Sequence, residues 1–267
     1  QVLARPEEIE LKGTVRKESM ASALGRIELR WPRLVEVEFG RTPQRAMADA
    51  ASTVSRVLKK AGFPPELRSI DLHWQVVFMD EKLPEKQIPS YLVNNCHPAW
   101  MTPPSNIYVI AQRVAAGCGG QKTSASHADA QLAQVLIHEI GHALEYKLLG
   151  NSVGHDRMRA EGFATWFEIY ASDSSSVIPH GSVRRMYHSL ARDSIRQSPQ
   201  GFQFSGSAYD YARASLYFTA VAERRGVSGL MDVYKTMREE RLDLLAAIRK
   251  RIGWDERKLS EEIKRVL

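Results

Sequence analysis

The sequence predicts an α+β fold, with a small twisted sheet and one helix in the N-terminal part and a mostly helical remainder. Residues 27–31 (IELRW), 34–39 (LVEVEF), 70–79 (IDLHWQVVFM) and 106–111 (NIYVIA) are short runs that alternate or stay apolar, as strands do. From about residue 123 onward the apolar residues recur at three and four positions instead, over longer segments. A chain of 267 residues, 43% hydrophobic and 25% charged, suits a single domain in two lobes, about 1–122 sheet-rich and about 123–267 helical.

The elements follow in order. Pro32 separates 27–31 from 34–39, and two half-buried strands around such a break predict a hairpin. Between Thr42 and Ala61 the period becomes helical: Thr42 can cap, Pro43 fits the first turn, and Met47, Ala50, Ala51, Val54 and Leu58 form one apolar face before Gly62. Strand character returns at 70–79, where His73 reads as a surface or sheet side chain. Residues 80–104, rich in Pro, Asn and Lys, read as a long excursion anchored by Tyr91, Trp100 and, just beyond it, Tyr108; His97 reads as structural. The run 106–111 is either an edge along which an extended peptide can pair or another core strand, and the glycine-rich turn Gly117, Gly119, Gly120 follows it.

The most informative stretch is LIHEIGHALEY, residues 136–146. Leu132, Val135, Leu136, Ala143 and Leu144 make an apolar stripe at helical spacing, and Gly150 ends it. On a helix His138 and His142 lie roughly 40° apart with Cβ atoms about 6 Å apart, so both imidazoles can reach one zinc ion. Glu139 falls on the flank of that face, placed as a general base rather than a ligand. A catalytic zinc usually takes three protein ligands. Glu161, on a second helix starting near Asp156, meets that need, giving one zinc per chain. Its rivals are Glu145, turned away from the metal face, and His155, in a predicted loop. A three-histidine site fails because Glu145 and Leu148 stand at the offsets it requires. The remainder is helical over 183–195, 209–224, 228–238, 242–252 and 259–266, with breaks at Gly226 and Gly253 and a loop at 201–207.

His142 and Glu161 are separated by 18 residues, and HEIGH followed by AEGFATWFE resembles the HExxH, 18-residue gap, E pattern of the gluzincin aminopeptidase and leukotriene-hydrolase family. YARASLYFTAVAERRG, residues 211–226, looks like that family's helix opening with a catalytic tyrosine. The resemblance covers roughly 105–260. It implies a zincin-like fold with zinc at the junction of the lobes, hydrolysis of peptide bonds in a protein or peptide substrate, and Tyr211 as the oxyanion donor, with Tyr209 as its rival. Glu168, seven residues after Glu161 on the same helical face, can accept a hydrogen bond from a zinc-bound histidine, and Asp156 can cap the helix or orient a ligand. The family's glycine-methionine-glutamate-asparagine motif is absent: its region here reads RVAAGCGG. Its large N-terminal β domain does not fit in the roughly 100 residues upstream, so the chain is closer to compact peptidase MA-like gluzincins. With no Asp or Glu in Ala111–Gly120 to hold a free α-amine, an endopeptidase is expected. A zinc-binding protein-interaction module without turnover and a zinc hydrolase of a non-peptide substrate are the alternatives.

The net charge of +6 is spread over most segments with no basic patch interleaved with aromatics, so no nucleic-acid partner is expected, while anionic envelope surfaces stay open. No apolar run is long enough for a membrane span. Cys96 and Cys118 are too few for a zinc site; they form one disulfide or remain two thiols. The disulfide would suit a periplasmic or secreted protein. The chain begins at Gln1 rather than Met, leaving a removed leader open.

Overall fold

Five strands form one mixed sheet in the computed structural model, which describes residues 15–79, 97–116, 125–200 and 203–267. The strands β1 (Val15–Ser22), β2 (Gly25–Pro32), β3 (Trp74–Met79), β4 (Ala99–Thr102) and β5 (Asn106–Ile110) lie in the order β1-β2-β3-β5-β4. β2, β3 and β5 run parallel, and the outer strands β1 and β4 are antiparallel to their neighbours. β3 and β5 are apolar without alternation because both faces are covered: Trp74, Val76, Val77, Phe78, Met79, Ile107, Tyr108, Val109 and Ile110 are all fully buried.

One expectation fails here. Residues 34–39 are not a strand: Arg33–Phe39 form helix α1, entered from Pro32 in an extended conformation and stopped at Gly40, whose φ is 56°. Only Val35 of this segment is buried, while Leu34 and Val37 are 53% and 75% exposed, so the apolar–acidic alternation reflected no sheet face. The hairpin exists, but the partner of β2 is β1, through a two-residue turn with Ser22 opposite Gly25. β1 (VRKESMAS) has no fully buried residue and hence no hydrophobic period to detect. For β5 the structure decides between the two readings of 106–111. It is hydrogen-bonded to β3 on one side and β4 on the other, so it is a core strand and offers no edge to a peptide. β4 is the outer strand among the described residues, and Trp100 stacks on Tyr108 of β5 at 4.9 Å.

The helices are α2 (Thr42–Leu58), α3 (Pro65–Arg68), α4 (Ala111–Ala116), α5 (Ala125–Leu149), α6 (Arg157–Ser172), α7 (Ser182–Gln197), α8 (Ala208–Glu240), α9 (Leu244–Ile252) and α10 (Glu256–Val266). The expected inward face of α2, Met47, Ala50, Ala51, Val54 and Leu58, is buried. The two helices expected at 209–224 and 228–238 are continuous in α8 apart from a kink at Gly226 (φ 72°, ψ 170°), a conformation that costs glycine little. The chain is thus α+β.

Among the described residues the contacts separate two compact units. One holds the residues up to Ser55, Ile70–Ala143 and Ser175–Pro179, and so the sheet; the other holds Arg56–Ser69, Leu144–Ser174 and the chain from His180 on, and is helical. No described helix is long and apolar enough to cross a membrane. Cys96, Cys118, Tyr91, most of the excursion at 80–104 and the glycines at 117, 119 and 120 lie outside the described residues.

Candidate metal centre

The side chains of His138, His142 and Glu161 form a group that can hold a metal ion: one ligand atom from each lies within 4.8 Å of the other two. Both histidines come from α5 at four-residue spacing, with ring centroids 4.9 Å apart and planes nearly perpendicular. Glu161 stands in the second turn of α6. His138 is buried, and His142 and Glu161 are half-buried. Two imidazoles and a carboxylate are donors zinc accepts at about 2.0–2.2 Å, and three of them leave a position open. Among the described residues the donor set is therefore one that can hold a zinc ion. Glu139, next to His138, is only 5% exposed.

The start of α6 is fixed locally. Asp156 is its N-cap, its carboxylate accepting from the backbone N–H of Arg159 at 3.1 Å. Glu145, the rejected rival ligand, is committed elsewhere: it accepts from Arg159 Nε at 2.9 Å and from the Tyr234 hydroxyl at 2.8 Å. His155 is exposed.

Packing within the helical unit explains the glycine after Glu161. A Cβ on Gly162 would stand 2.6 Å from Cε2 of Phe218 and 2.9 Å from the carbonyl oxygen of Ala214, so α6 and α8 approach as closely as they do because no side chain intervenes. Phe163 continues the contact, edge-on to Phe218 at 6.0 Å and 5.0 Å from Tyr234. Gly162→Ala gains up to about 1 kcal/mol of helix propensity. Overpacking costs about 1–3 kcal/mol, and a backbone carbonyl cannot rotate away. The variant is expected to unfold at lower denaturant than wild type, and an unchanged or higher midpoint would contradict this close approach.

Tyr211 lies in the first turns of α8, which a capping box holds: Ser207 accepts from the Asp210 N–H, and the Asp210 carboxylate accepts from the N–H groups of Ser205, Gly206 and Ser207 and from the Ser205 hydroxyl. Burial pushes the Asp210 carboxyl up, but these hydrogen bonds outweigh it and leave it below the usual carboxylate range. Tyr211 is half-buried with its ring parallel to Phe204 at 5.9 Å, whereas its rival Tyr209 is 40% exposed.

Glu168 is buried, and both its oxygens accept from the Tyr187 hydroxyl on α7, at 3.2 and 3.0 Å. Burial, and then the Glu168 carboxylate, push the Tyr187 phenol well above its ordinary range, with smaller contributions from Tyr211 and Glu161. Tyr187 therefore shares one electrostatic neighbourhood with Glu161, Glu168 and Tyr211. The sequence carried no signal for it, since a tyrosine on an amphipathic helix reads as packing. No protein-family profile matches the chain, and no curated protein matches it significantly.

Proposed function

We propose that the chain is a zinc-dependent metallopeptidase of gluzincin type, zincin-like in fold, with zinc held by His138, His142 and Glu161. The observation that carries the reading is the gathering of these three donors, with the buried acid Glu139 beside the first of them. Zinc supplies Lewis acidity at neutral pH when bound. Glu139 takes a proton from the attacking water and passes it to the leaving amine. Tyr211, a neutral phenol, donates to the oxygen on which negative charge develops, a contact worth about 3 kcal/mol where one such donor is removed. Glu168, held by Tyr187, and Asp156, as the cap of α6, support the helix that carries Glu161.

The absence of an acid in Ala111–Gly120 favours internal cleavage, because a buried α-ammonium there would have no counter-charge from that stretch. With β5 enclosed, a substrate that extends the sheet pairs with β4. After dialysis the protein is expected to retain about one zinc per chain, and a diverse peptide library read by mass spectrometry is expected to show internal cuts in N-acetylated and free peptides alike. No retained zinc would remove the reading. Stepwise loss of N-terminal residues that acetylation blocks would make the enzyme an aminopeptidase instead.

A further inference from the structure

We propose that Arg157 is a carboxylate-binding residue of the same site, so that the preferred substrates carry a carboxylate close to the bond that is cut. The inference rests on the metallopeptidase reading and names the substrate class it serves.

Arg157 opens α6, one helical turn before Glu161. Residues four apart share a helix face with Cβ atoms about 6 Å apart, and side chains lean toward the N-terminus, so Arg157 stands on the ligand-bearing face of α6. Its guanidinium lies over the Phe204 ring, 5.6 Å from the centroid, and Phe204 is in turn stacked on Tyr211. On another side it rests against the backbone of Gly206, where an added Cβ would come within 2.6 Å of Nη2. The arginine therefore joins the helix of Glu161 to the turn that presents Tyr211.

These contacts hold the guanidinium without using its donors. Among the described residues Arg157 makes no hydrogen bond and no ion pair. Its neighbour Arg159 is the contrast: buried, it gives Nε to Glu145 and Nη1 to the Gly154 carbonyl. Arg157 gains nothing from the helix either, because the first turn favours anions over cations. What remains is a permanently charged, planar fork of N–H donors, oriented by aromatic stacking and half-open to solvent. Such a fork pairs with a carboxylate through two parallel hydrogen bonds. A peptide offers that group as an Asp or Glu side chain or as its C-terminus.

The test uses matched peptides built on sequences from the library. One set exchanges Glu for Gln at each position around the cut; the other compares free with amidated C-termini. Cleavage by the zinc-loaded wild type gives kcat and KM, and fluorescence anisotropy gives binding to the zinc-loaded Glu139→Gln protein. At least one pair is expected to favour the carboxylate about tenfold or more, mainly through KM, and less at high salt. The ratio should fall to about one in Arg157→Gln and be partly kept in Arg157→Lys, and the pair that responds identifies side chain or C-terminus as the source. An arginine that only braces Phe204 and Tyr211 would change both members of each pair equally; an unaltered ratio in Arg157→Gln, or no preference in wild type, overturns the proposal. Arg157-dependent preference in binding without any cleavage would sustain it while removing the peptidase reading. Neither cleavage nor binding would remove both.

Discussion

Glu139→Gln is expected to keep zinc at the wild-type level while turnover of library peptides falls by about two to four orders of magnitude. The substitution preserves shape at a position only 5% exposed, so fold and packing should survive it. What it removes is the ability to accept a proton at neutral pH. As a base, Glu139 acts only in the transition state, so kcat should fall and KM should change little. Metal analysis and circular dichroism beside the kinetics separate this outcome from its rivals. Loss of zinc would make Glu139 a ligand, and turnover within tenfold of wild type would take the base role from it.

Arg159→Leu is expected to cost about 3–5 kcal/mol of stability, read as a shift in urea midpoint. Arg159 and Glu145 are 6% and 5% exposed, so the leucine variant would leave Glu145 buried with only the Tyr234 hydroxyl for company. An unpaired carboxylate in that setting is far more costly than the ion pair is beneficial. Exchanging both partners, as Glu145→Leu with Arg159→Leu, should therefore recover a substantial part of the loss. The pair lies three residues after His142 and two before Glu161, so the single variant should also hold zinc more weakly. A midpoint shift equivalent to less than about 1 kcal/mol would show that the pair is solvated rather than buried.

Much of the candidate metal centre was legible because it depends on helical period and residue chemistry. Four-residue spacing places His138 and His142 together on any helix, and Asp156 and Gly150 are local cap and stop signals. Glu161 as third ligand rested on a residue count and a resemblance, while the close approach of α6 and α8 at the neighbouring Gly162 is one that no local pattern encodes. Likewise the outcome for Glu145 was foreseen from its face of the helix, but its partners, 14 and 89 residues away in sequence, were not.

The rest was decided by tertiary structure. Residues 34–39 alternate like a strand yet form α1, because no neighbouring strand takes up their backbone hydrogen bonds and Val35 alone finds a buried place. β1 forms although it has no apolar period, since pairing with β2 satisfies its backbone whatever its side chains are. The continuous apolar run of β5 is compatible with an edge or a centre, and only the pairing of β4 closes its second side. By itself the sequence determined the longer helices, though not α1, and the chemistry each can present, all set by interactions within a few residues. The tertiary structure alone decided strand neighbours, the gathering of Glu161 with the two histidines, and the stacking of Arg157 on Phe204 beside Tyr211, because these depend on side chains that meet across segments the chain keeps far apart.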